Sequence, residues 1–123
     1  MAPRMILQAG PLLQQGRIIT NAHFTGEWLV QLLLNKYNWE EAKKLCVEYE
    51  EEGFMDWKLP NRKEIQLIHS LLHKSQKGNF SSSSYWSITQ DDSNYAVIQH
   101  FINGSQDSYP KDTNNHIRAI RYF

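Results

Sequence analysis

Apolar positions follow a helical period in two places along the chain and strand-like patterns elsewhere. Trp39, Ala42, Leu45, Cys46 and Tyr49 fall on one helical face, and Glu40, Glu41, Lys43, Lys44, Glu48, Glu50 and Glu51 fill the rest. Asn38 is a suitable N-cap, Glu40 and Lys44 are four apart in the favourable order, and Gly53 is a stop. A second helix is expected after Asn61. Pro60 fixes its own φ and biases Leu59 toward an extended conformation, and Asn61 with Glu64 has the spacing of a capping box. This helix would bury Ile65, Ile68, Leu71 and Leu72, and the basic segment 74–79 would end it.

The remaining pattern is β. Residues 17–24 alternate loosely around Ile18-Ile19-Thr20, Thr25-Gly26-Glu27 is a turn, and 28–34 is an apolar run of strand length for which periodicity alone leaves a helix open. Residues 85–89 and 95–102 read as strands joined by the loop 90–94, with Asn103-Gly104 a strong turn signal. Residues 105–115, polar and containing Pro110, are expected to be a long loop, and 116–123 the last strand. Residues 1–15 show no period and read as an irregular arm ahead of a single domain over 16–123. Helices segregated from strands predict an α+β fold rather than a doubly wound parallel sheet.

A chain of 123 residues suits one domain with a core of its own. Its 13 basic and 13 acidic residues give a net charge of +0, which argues against a general nucleic-acid binder and against an anionic membrane surface as partner. No run approaches the length of a membrane helix, and residues 1–13 make a poor secretory signal. Synthesis in the cytoplasm without an evident signal peptide is therefore expected, with the final site, virion or cell surface versus cytoplasm, left open. The single cysteine, Cys46, excludes an intrachain disulfide.

Several motifs then occur in a fixed order. They are Asn38-Trp39-Glu40-Glu41-Ala42-Lys43-Lys44-Leu45-Cys46, then Gly53-Phe54-Met55-Asp56-Trp57-Lys58-Leu59-Pro60-Asn61-Arg62-Lys63-Glu64-Ile65, then Tyr85-Trp86-Ser87, Phe101-Ile102-Asn103-Gly104 and Ile117-Arg118-Ala119-Ile120-Arg121. In this order they resemble the C-terminal domain family of the Legionella collagen-like adhesin. The resemblance covers roughly residues 37–123, with a vaguer first hairpin over 16–31. It implies a C-type lectin-like fold in which two helices pack on a small irregular antiparallel sheet and the terminal strands pair. It implies binding rather than chemistry: host glycans or proteins for surface adhesins, receptors for phage tail proteins. A collagen-like stalk, a signal and a second cysteine are missing here, which weakens the surface-adhesin role.

Candidate chemistry is sparse. Trp39, Trp57 and Trp86 with Pro60 are expected in the framework, Trp57 and Trp86 as core rather than stacking platforms. Asp56, Arg118 and Arg121 are expected to form a structural network. His69 and His73 have the spacing of two metal ligands, but the intervening Ser70-Leu71-Leu72 lacks the metalloprotease Glu, so an exposed helical face carrying two histidines is the expectation. Asp91-Asp92-Ser93-Asn94 offers hard oxygen ligands, although the usual sugar-binding Glu-Pro-Asn signature is absent; a solvated turn is expected, with calcium left open. Cys46 is expected to pack in the core.

What remains is a non-catalytic binding module with no metal and no cofactor. Its polar and aromatic loops supply adaptable hydrogen bonds and aromatic area on a rigid scaffold. Asp91, Asp92, Asn94, Tyr95, Tyr109, Lys111, Asp112 and Asn114 are the candidate ligand-binding residues, and a protein or a glycan is the expected ligand. The expected setting is a phage or bacterial particle or surface component; the alternative is a stand-alone intracellular protein-interaction or inhibitor protein. The arm offers a route to a homo-oligomer or a larger assembly.

Overall fold

Among the described residues, both α-helices begin on an asparagine that closes a capping box. The protein is described here by a computed structural model, which covers residues 4–7, 12–14, 17–19, 35–48, 56–73 and 80–122. Helix α1 is Trp39–Glu48, and Asn38 Oδ1 accepts from Glu41 N–H at 2.9 Å while Asn38 N–H donates to Glu41 Oε1 at 3.2 Å. Helix α2 is Arg62–Ile68, with the same reciprocal pair between Asn61 and Glu64 at 2.8 Å in each direction. Each box satisfies donors that a helix start leaves open. Helix α2 runs on into one π-helical turn, His69–His73. The segment 74–79, expected to end it, lies outside the described residues, as does the apolar run 28–34.

The strands are β1 (Arg4–Leu7), β2 (Leu12–Gln14), β3 (Arg17–Ile19), β4 (Ser84–Gln90), β5 (Tyr95–His100), β6 (Gln106–Pro110) and β7 (Ile120–Tyr122). They form two antiparallel sheets, ordered β3-β2-β1-β7 and β4-β5-β6, where one sheet was expected. The pairing of the first and last strands, with Met5 opposite Tyr122 and Leu7 opposite Ile120, matches the expectation of paired termini. Three readings change. The segment 1–15 is not irregular throughout, because β1 and β2 lie in it. The loop expected over 105–115 contains β6. The closing strand is shorter than 116–123: Asn115 and His116 make isolated bridges, and 117–119 are buried without strand pairing.

The sheet β4-β5-β6 has a helix on each face. Trp86 packs with Trp39, Ala42 and Cys46 of α1, together with Trp57, Leu59, Ala96, Ile98, Ile117 and Ala119. Tyr85, the neighbour that points to the other face, packs with Ile65 and Ile68 of α2 and with Phe101 and Ile120. Four consecutive residues of β5, 96–99, are therefore buried, an arrangement that an alternating strand with one wet face would not show. The framework tryptophans are core, as expected. Trp39 Nε1–H donates to Ser87 O at 2.9 Å and Trp86 Nε1–H to Tyr37 O at 2.7 Å, so these two rings are buried with their polar edges satisfied. Pro60 is buried and its carbonyl accepts from Ile88 N–H at 2.8 Å. Cys46 is buried among these rings, and burial pushes its thiol pKa up to about 12.

His69 departs from expectation. It is buried rather than exposed, and its ring meets Phe101 edge-on at a centroid distance of 5.3 Å. His73 meets the same ring at 5.2 Å. A Cβ at Gly104 would lie 2.8 Å from His69 Cε1, and the φ of Gly104 is +82°, so glycine is required there twice over. The histidine pair wedges the β5–β6 turn against α2. Among the described residues no group of three or more His, Cys, Asp or Glu is placed to hold a metal ion.

The expected Asp–Arg network is present on one side of the corner. Arg121 Nε donates to Asp56 Oδ1 at 2.6 Å and Nη2 to Oδ2 at 3.3 Å, a two-point contact between a nearly buried guanidinium and an exposed carboxylate. Arg118 is buried and lies over the Phe80 ring at 4.4 Å rather than on Asp56.

Replacing Asn61 by Ala should cost about 1 kcal/mol in urea unfolding. Ile98→Ala, which empties a fully buried site, should cost about 2–5 kcal/mol. The Arg121 hydrogen bond holds the Asp56 carboxyl below its ordinary range. A depressed native pKa stabilises above the unfolded value of about 4 and is lost as pH falls from there through the native value. Unfolding curves of Asp56→Asn should accordingly lose less stability than the wild type on acidification through that range.

Candidate functional site

The β4–β5 turn and the segment after β6 meet at one end of the three-stranded sheet. Gln90 and Ala96 are paired, but the register shifts between Trp86 and Gln90, so β4 carries a bulge. Ser87 stabilises it: its hydroxyl donates to Val97 O at 2.8 Å and accepts from Thr89 N–H at 3.2 Å. The outer side of β4 is held by the Ile88–Pro60 bond and by Arg62 N–H donating to Thr89 Oγ1 at 3.0 Å. The bulge thus directs the turn 91–94 from a strand that is fixed on both sides.

Within the turn, Asp92 Oδ1 accepts from the backbone N–H of Asn94 at 2.7 Å and of Tyr95 at 2.9 Å. The backbone N–H groups of Asp91 and Asp92 both donate to Tyr95 O, at 3.0 and 3.3 Å. Asp91 Oδ2 accepts from Ser108 Oγ of β6. The opposite segment is tied in by Lys111 N–H donating to Asn94 O at 2.9 Å and by Thr113 N–H donating to Pro110 O at 3.0 Å.

Lys111 makes most of the junction. Its ammonium donates to Gln90 Oε1 at 2.7 Å and to Ser93 O at 3.0 Å, and it lies 4.2 Å from the centroid of the Trp39 ring. Its carbonyl accepts from Trp39 N–H, the first residue of α1, at 3.0 Å. Lys43 covers the same indole at 3.8 Å. One side chain therefore joins the β4–β5 turn, the segment after β6 and the start of α1.

The eight candidate residues sort into different positions. Asp91, Asp92, Asn94, Asp112 and Asn114 are exposed, and Tyr95 is exposed at 42%. Tyr109 lies in β6, half-buried, packed on the α1 side of the core with its ring edge-on to His100. Lys111 is half-buried and its ammonium is committed within the protein. The outward-presented set is Tyr95, Asn94, Asp112 and Asn114 with the two turn aspartates. Sequence reasoning missed β6, although Asn103-Gly104 is itself a hairpin signal and implies a strand on either side.

The outer edge of β6 is occupied in part by the protein's own groups. Lys111 N–H reaches Asn94 O and His100 N–H reaches Ser105 O at 2.8 Å, so antiparallel alternation turns the main-chain groups of Gln106, Ser108 and Pro110 away from β5. Ser108 N–H is taken by Asp107 Oδ1 at 2.8 Å. Pro110 has no N–H, and its carbonyl is taken by Thr113 N–H and by Thr113 Oγ1 at 2.7 Å. A charged residue and a proline on an edge are usual means of preventing strand addition. Among the described residues no helix is long and apolar enough to cross a membrane.

No curated protein matches the chain. The family model of the Lcl C-terminal domain matches residues 18–121, which takes in the capped helices, the Asp56–Pro60 corner, both strands that carry the β4–β5 turn, and β6. The match begins well before the motifs at 37–123 that suggested the likeness, and with most of the chain covered, the protein belongs to the Lcl C-terminal domain family.

Proposed function

We propose that this chain is a non-catalytic, adhesin-like binding module with a C-type lectin-like scaffold. It recognises a protein or glycan through the exposed side chains of 91–95 and 112–114, as a component of a phage or bacterial particle or surface. The observation that carries this reading is the convergence of two polar loops on one bulged, doubly anchored sheet end. There the backbone is fixed by internal bonds, while Tyr95, Asn94, Asp112 and Asn114 face outward. Recognition by preorganised loops avoids the ordering cost that flexible segments incur on binding. The partly occupied outer edge of β6 favours side-chain contact over strand addition as the mode of recognition. Family membership supports binding as the general role. Lys111 serves as a strut beneath the loops rather than as a ligand contact.

The test is capture from host-cell surface extracts and glycan arrays, comparing the wild type with Tyr95→Ala/Asp112→Ala/Asn114→Ala. Ile102→Ser, at the exposed turn on the opposite end of β5, is the control. The triple variant should lose about tenfold or more in affinity while the control binds as the wild type does. Equal binding by the triple variant would remove the loop end as the site. A single tight partner found only in cytoplasmic extract would instead favour an intracellular interaction protein. Lys111→Met should lower stability by about 1 kcal/mol and raise amide exchange across 91–95, because several bonds to that turn are lost.

A further inference from the structure

We propose that the Asn103–Gly104 peptide is a site of spontaneous deamidation, in which the turn itself activates the asparagine side chain. Asn103 is the one asparagine in the chain followed by glycine, so no side chain shields the next backbone nitrogen. Its side chain is exposed, in the turn between β5 and β6, beside Ile102 at 74% exposure. Asn103 Oδ1 accepts two hydrogen bonds from Ser105, from the backbone N–H at 3.0 Å and from the hydroxyl at 2.8 Å. The ring closed by the backbone bond contains both Asn103 Cγ and the Gly104 nitrogen, so the two reacting atoms are held in one small loop of chain.

The chemistry needs only water. The Gly104 nitrogen gives up its proton to solvent base and attacks Asn103 Cγ, forming an N–C bond. Charge develops on Oδ1, where the two Ser105 donors already point, the arrangement that stabilises an oxyanion. The Cγ–Nδ2 bond then breaks, and the nitrogen leaves with a proton as ammonia. The resulting cyclic imide takes up one water at either carbonyl, giving aspartate or isoaspartate; nothing is oxidised or reduced. The opposing contact is Gly104 N–H donating to His100 O at 2.9 Å, which must open before the attack. It belongs to the turn rather than to the paired strand, and turns are where local opening is least costly.

Gly104 cannot be exchanged to avoid the reaction, because its φ and its approach to His69 both require glycine. Isoaspartate at 103 would lengthen the main chain of the turn by one carbon and disturb the His100–Ser105 and Gly104–His100 bonds together.

Peptide mapping by mass spectrometry after storage of the purified protein in mildly alkaline buffer tests the assignment. The peptide containing Asn103 should gain the mass of an amide-to-acid exchange, as separate aspartate and isoaspartate forms, ahead of every other asparagine. Ser105→Ala should slow that gain by about three- to tenfold, the worth of one ordinary hydrogen bond. Asn103→Ser should abolish it. An Asn103 that stays intact while another asparagine changes, or a Ser105→Ala protein that reacts as fast as the wild type, would overturn the proposal.

Discussion

The structure depends on a two-bond backbone junction between Lys58 and Ile120. Lys58 N–H donates to Ile120 O and Ile120 N–H to Lys58 O, both at 2.8 Å. Ile120 also stands opposite Leu7 in the ladder with β1, so the final strand is held on both edges. On one side lies the sheet built from the N-terminal strands; on the other lies the corner that launches α2. The Ile120 side chain is buried with Ile65 and Ile68, and Arg121 next to it grips Asp56. Separating these segments would expose main-chain groups, core and a nearly buried guanidinium together, so the junction makes the two sheets cooperative.

From that junction the path to the candidate site is short. The corner passes through buried Leu59 and Pro60, and the Pro60 carbonyl holds Ile88 at the bulge of β4. The bulge directs the β4–β5 turn, and Lys111 fastens that turn to the N-terminus of α1. Trp39 links the two halves of this path, donating from its ring to Ser87 and from its backbone to Lys111. The exposed side chains at the end therefore rest on the most deeply buried residues of the domain.

Much of this was legible because the signals were local. Asn61 three residues ahead of Glu64 reports a helix start whatever the surroundings, and that box formed; Asn38, read as a cap alone, forms a second box with Glu41. The face through Trp39, Ala42 and Cys46 follows from spacing alone. The misses occur where tertiary context decides. β6, Gln-Asp-Ser-Tyr-Pro, is an edge strand with little apolar alternation; its strand character comes from the ladder with β5 and from Asp107 and Thr113, which satisfy its outer groups. β1 and β2 are short and interrupted by Gly10 and Pro11, and their pairing with the far end of the chain leaves no nearby trace. Spacing puts His69 on a surface because it cannot show that Phe101 and the glycine hairpin close over it. Six of the eight candidate residues are exposed, but that Lys111 is spent holding the loops and Tyr109 packs on the core emerges only from distances.

A thiol whose pKa stands near 12 is protonated at every physiological pH, and here it is covered by tryptophan. Thiolate is the form that exchanges with disulfides and meets oxidants. In the folded domain Cys46 is accordingly a packing residue, held as the thiol and shielded from exchange.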